Sequence, residues 1–201
     1  MPKNAKGAKF ILGFIQLCHM MRKEYTLSFD KAEKSEKTIR KFLLNKADSV
    51  RFTHRSVAKI GNNIFIVIDM KTPGDKKSEI IGDKDDPVFI SLLRELKRDF
   101  IRKITNDKLF NDIRHKGQLF DHYFYRMSSA MKKRLNKNSL FKAWFKDDRH
   151  YYMKNFPCFE DPTFYKRNVM IGSIISHEPI VILYLTAKEK SILEKGGALF
   201  D

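Results

Sequence analysis

The segment Asp86–Ile104, DPVFISLLRELKRDFIRKI, decides how the chain is read. Asp86 is a good N-cap, and Pro87 suits the first helical position, where its missing N–H would have no intrahelical partner anyway. From there Phe89, Leu92, Leu93, Leu96, Phe100 and Ile104 recur at three- and four-residue intervals, the period of one helical face. Arg94, Arg98 and Arg102 repeat every fourth residue on another face. The pattern predicts one amphipathic helix with a row of arginines turned away from its apolar stripe.

Toward the C-terminus the same spacing resumes. Gly117 separates off a second predicted helix, with Phe120, Tyr123, Phe124, Met127, Met131 and Leu135 on one face and Lys132-Lys133-Arg134 at its end. Leu140–Lys146 reads as a third helical piece. Tyr151–Tyr165 is rich in aromatics and proline and reads as packed irregular chain. Ile180–Leu185 reads as a buried strand, Thr186–Glu189 as a capping box opening a short helix, and Gly196-Gly197 as its stop.

Toward the N-terminus, polar Lys71–Asp86, with Pro73-Gly74 and Gly82, reads as an exposed loop. It is the nearest candidate for an internal boundary in a single domain spanning residues 1–201. Tyr25–Phe29 alternates like a strand, and Lys31–Lys46 sets Ile39, Phe42 and Leu43 on one helical face with Lys34, Lys37 and Lys41 outside it. Val50–Thr53, a turn at Gly61-Asn62-Asn63 and Ile64–Ile68 read as a hairpin. The expected class is therefore α+β, with strands near both termini around a mainly helical, basic middle segment.

The chain has 201 residues, with 40 Lys/Arg against 24 Asp/Glu, a net charge of +16. The excess is concentrated: residues 1–59 and residues 100–156 each carry 14 basic against 5 acidic residues. Such a field favours a polyanion, because neutralising phosphates releases condensed counterions. Seventeen Phe and seven Tyr argue against a disordered polycation, so the charge should sit on a folded surface. Cys18 and Cys158 stand alone, which indicates neither a disulfide framework nor a Cys-based zinc site and suits a reducing compartment. Gln16 and His19 interrupt the apolar run after Phe10, and no small-residue cleavage site follows, so a signal peptide is not expected. No segment approaches the length of a membrane span.

The basic block Arg94–Lys146 is interleaved with Phe100, Phe110, Tyr123, Tyr125, Phe141, Trp144 and Phe145. Guanidinium forks fit phosphate oxygens and exposed rings stack on bases, so the mixture suits nucleic acid. The candidate binding residues are Arg94, Arg98, Arg102, Arg126, Lys132, Lys133 and Arg134, with Tyr125 and Trp144 as stacking rings. Rings at helical spacing are equally what a core contains.

Two alternatives stay open. Asp69-Met70-Lys71 at the end of the Ile64–Ile68 strand resembles the closing element of the PD-(D/E)xK nuclease fold, although no proline precedes Asp48 as that pattern prefers. The resemblance implies a metal-dependent nuclease using Mg²⁺ or Mn²⁺, with Asp69 as ligand, Lys71 orienting the attacking water, and Asp48 and Glu36 as further carboxylates. The other alternative is a viral matrix-type protein on anionic membrane. There Phe10–Met21, flanked by Lys3, Lys6, Lys9, Arg22 and Lys23, would form an interfacial helix.

His115 and His122, divided by Gly117, do not make a metal motif, and no nucleophile elbow or phosphate-binding glycine loop occurs. The leading expectation is thus a non-enzymatic nucleic-acid-binding protein without a cofactor, working in a nucleoprotein assembly. RNA versus DNA and self-association are left open. Its expected location is intracellular, in cytoplasm or nucleus, or a virion.

Overall fold

Residue 22 opens the described part of this computed structural model, which covers 22–54, 57–60, 63–66, 78–81, 87–105, 121–136, 141, 144, 159–176 and 180–200. In chain order the elements are β1 (Lys23–Leu27), α1 (Phe29–Lys46), β2 (Ser49–His54), β3 (Val57–Ile60), β4 (Asn63–Ile66), β5 (Ser78–Ile81) and α2 (Pro87–Leu96). They continue with β6 (Phe100–Thr105), β7 (Asp121–Arg126), α3 (Ser129–Leu135), β8 (Phe159–Lys166), β9 (Val169–Ile175), β10 (Ile180–Leu185) and α4 (Ala187–Lys195). Seven strands form one sheet in the order β1-β10-β9-β8-β2-β7-β6, with every neighbouring pair antiparallel. The other three form a second antiparallel sheet in the order β4-β3-β5.

This corrects the expected helical middle. The helix that opens at Pro87 ends at Leu96; Lys97–Asp99 form a turn, and Phe100–Thr105 is a strand. The reason lies in long-range pairing. The Asp99 carbonyl accepts from Arg126 N at 2.7 Å and its carboxylate accepts from Ser128 Oγ at 2.6 Å, which ties the turn to β7 and overrides the local helical period. Likewise Asp121–Arg126, expected as helix, is a strand whose first five residues are all buried, so its apolar positions lose the alternation that marks a half-exposed strand. Helix begins only at Ser129, where Ser128 Oγ caps Met131 N at 3.1 Å. The stretch read as irregular chain, Tyr151–Tyr165, contributes residues 159–165 to β8. Val50–Thr53 lies in β2 but pairs with β7 and β8, while β4 pairs with β3. Asp86, Gly61, Asn62 and all of Leu140–Lys146 except Phe141 and Trp144, which are helical, lie outside the described residues.

Other readings coincide with the fold. On α1, Ile39, Phe42 and Leu43 are buried and Lys34, Lys37 and Lys41 exposed. Helix α4 opens on a capping box: Glu189 N donates to Thr186 Oγ1 at 3.2 Å, and Thr186 N donates to Glu189 Oε2 at 3.0 Å.

The core lies against one face of the large sheet. Helix α1 packs across β10 and against α4. Toward the β6 edge the cover is aromatic: Phe52 stacks on Phe159 with centroids 5.1 Å apart and lies 6.1 Å from both Tyr125 and Trp144, while Phe89 of α2 meets Phe159 and Tyr123 edge-on. The other face carries a buried polar row. Arg51 Nη2 donates to Thr163 Oγ1 at 3.0 Å, Thr163 Oγ1 lies 2.9 Å from Ser173 Oγ, and Thr53 Oγ1 lies 3.3 Å from His122 Nδ1. These pairings satisfy groups whose burial would otherwise be costly.

Candidate nucleic-acid interface

Register fixes which chain segments share an end of the sheet. β2 begins at Ser49, opposite Arg126 where β7 ends and Tyr165 near the end of β8; β6 begins at Phe100, opposite Tyr125. The α1–β2 junction, the α2–β6 turn, the start of α3 and the β8–β9 turn therefore meet at one rim. At this rim Lys46, Lys97, Arg98, Arg102, Arg126, Lys166 and Arg167 are all exposed.

The carboxylates here are already engaged. Asp48 Oδ2 accepts from Arg167 N at 2.8 Å and lies 3.7 Å from Lys166 Nζ, and Asp99 accepts from Ser128. The Asp48 contact holds a two-residue turn in which Arg167 and Asn168 have φ of 51° and 63°, the left-handed pair that suits the twist of a hairpin. Asp48 is thus a turn clamp, and among the described residues most of the cations around it have no partner carboxylate. The opposite end of the sheet carries acidic residues, Asp121 on β7 and Glu160 and Asp161 on β8, the two strands that flank β2, and Asp121 pairs with Lys103 Nζ at 2.6 Å.

The residues singled out from sequence are distributed unevenly. Arg94, Arg98 and Arg102 do not form a helical row, since they fall on α2, the turn and β6 respectively. Arg98, Arg102 and Arg126 reach the rim, and the Arg102 guanidinium lies 4.6 Å from the centre of the Phe124 ring. Lys132 and Lys133 follow on α3. Arg134 is paired with Glu95. Tyr125 and Trp144 are 1% and 0% exposed, so neither offers a face to a base, and both belong to the core. Lys46, Lys97, Lys166 and Arg167 were not singled out; only the pairing of strands brings them together.

Burial, with Tyr123 beside it, pushes the Tyr125 phenol far above its ordinary range, and its hydroxyl has no hydrogen-bond partner among the described residues. A buried hydroxyl without a partner carries a desolvation penalty of about 1–3 kcal/mol. Tyr125→Phe is therefore expected to match or exceed wild type in denaturant midpoint and to leave nucleic-acid affinity unchanged. A loss of affinity in a folded Tyr125→Phe protein would return this residue to the interface.

The nuclease set is not brought together. Glu36 pairs with Arg40 at 2.9 Å in mid-helix, and the ten helical steps from Glu36 to Lys46 span roughly 15 Å, so Glu36 and Asp48 cannot share one metal ion. Asp69 and Lys71 lie outside the described residues, as does Phe10–Met21. Among the described residues no cluster of three His, Cys, Asp or Glu is placed to hold a metal, and no helix is long and apolar enough to cross a membrane. Compared with protein-family models, curated proteins and solved structures, the chain matches none.

Proposed function

We propose that this protein binds nucleic acid through the basic rim of its large sheet, mainly by phosphate contacts and with little sequence preference, as a component of a nucleoprotein assembly. The observation that carries the reading is the gathering of seven exposed cations at one end of the sheet while Asp48 and Asp99 there are held by other groups. From β9 to β6 there are four inter-strand steps of about 4.8 Å, so the rim is roughly 19 Å wide. At about 3.4 Å per phosphate along one strand, that width faces about five or six phosphates.

The test compares two triple charge reversals of equal charge. Arg98→Glu, Arg126→Glu and Arg167→Glu together should reduce the slope of log K against log salt by about two to three units, since each phosphate contact contributes about 0.7–0.9. Lys34→Glu, Lys37→Glu and Lys41→Glu, on the exposed face of α1, should leave the slope close to wild type. Equal effects of the two triples, or a flat salt dependence of the wild type, would reject the rim as the binding surface.

A further inference from the structure

Phe100 and Ile101 are 43% and 47% exposed, unlike the buried aromatic core one strand away. Both lie in β6, the edge strand of the large sheet. The register of β6 on β7 shifts between Phe100 and Arg102, a bulge that leaves Ile101 as the extra residue and turns it outward. The Phe100 ring is held edge-on by buried Tyr125, with centroids 5.8 Å apart and planes at 67°. It is therefore a half-exposed ring whose orientation one buried neighbour already holds, so it loses little freedom when a ligand covers it.

Its surroundings are cationic. Arg98 precedes it, the backbone of Arg126 is joined to Asp99 beside it, and Arg102 follows on the other face of the sheet, over Phe124, while Lys103 is taken up by Asp121. The ligand that suits this edge offers negative charge and flat apolar surface at close intervals. A second copy of the chain brings the same net charge of +16 with it, which opposes its pairing along this edge. A duplex offers the charge but keeps its bases stacked inside. Unpaired nucleic acid offers both.

Resting on the reading above, we infer that the rim takes single-stranded nucleic acid, with one base stacked on Phe100 and the neighbouring phosphates held by Arg98 and, around the edge of the sheet, by Arg102 and Arg126. Stacking of this kind tolerates any base, in keeping with binding that is weakly selective for sequence.

The experiment measures anisotropy of labelled oligo(dT), oligo(U) and a duplex of equal length with wild type, Phe100→Ala, Phe100→Leu and Phe100→Trp. Phe100→Ala and Phe100→Leu should lose about 5- to 150-fold on both single strands and little on the duplex. Phe100→Leu keeps apolar bulk against Tyr125, so its loss reports the missing π face rather than a disturbed fold. Phe100→Trp should retain affinity, and its emission should be quenched by single strands beyond any change in wild type, whose Trp144 is buried. Undiminished single-strand binding by Phe100→Ala and Phe100→Leu overturns the inference and assigns the apolar edge to a protein partner, leaving the phosphate rim intact. Wild type that binds none of the three probes overturns the nucleic-acid reading itself.

Discussion

Phe52→Ala is expected to lower the unfolding free energy by about 3–5 kcal/mol. Phe52 is 0% exposed at the middle of β2, which lies between β8 and β7 in the large sheet. Its ring touches Phe159, Tyr125 and Trp144, themselves buried and braced by further rings, Phe89 and Tyr123 on one side and Phe141 on the other. Rings fixed on several sides cannot collapse into the space, so the cavity term adds to the lost burial. Against a total stability of about 5–15 kcal/mol, that loss takes much of the margin. Urea unfolding followed by Trp144 fluorescence measures it, and a loss below about 1 kcal/mol would contradict this packing.

The second large effect runs the other way, by overfilling. Gly172→Val should cost about 3 kcal/mol. A Cβ at Gly172 would lie 2.8 Å from Leu43 Cδ2 and 2.9 Å from Leu183 Cδ2, with Ile182 O at 3.3 Å. The leucine methyls can rotate away from a single carbon, but valine adds two more, and the carbonyl oxygen cannot move without disturbing the β9–β10 ladder. Helix α1 would have to lift. Trimming its side with Leu43→Ala in the valine background should recover part of the loss. A Gly172→Val protein with an unchanged unfolding midpoint would show that α1 does not seat there.

Much of the two ends of the fold is legible in the sequence. The α1 period, the apolar run at Ile180–Leu185 and the Thr186 capping box are local signals with which the tertiary packing agrees. The middle deceived for a physical reason. In Asp121–Tyr125 every residue is buried, so no alternation distinguished strand from helix, and in Phe100–Ile104 the apolar residues happened to continue the period of α2 across a turn. Two hints were present: Ser128, a cap without a helix before it, and Asp99, a poor residue for mid-helix. The rim was less legible still. Lys46, Lys97 and Arg167 are far apart in sequence and become neighbours only through antiparallel register, while Tyr125, the ring next to Arg126, turns inward because its strand is covered.

The same register imposes an order in time. Tyr25 in β1 sits opposite Leu183 in β10, and the chain between them includes almost the whole of the large sheet. At a synthesis rate of about 5–20 residues per second, the later strand is made roughly 8–30 s after the earlier one. Throughout that interval β1 has unpaired backbone, and α1 presents Ile39 and Leu43 without the strand that will lie beneath them. The large sheet is therefore completed only once β10 has been made and closes between β1 and β9.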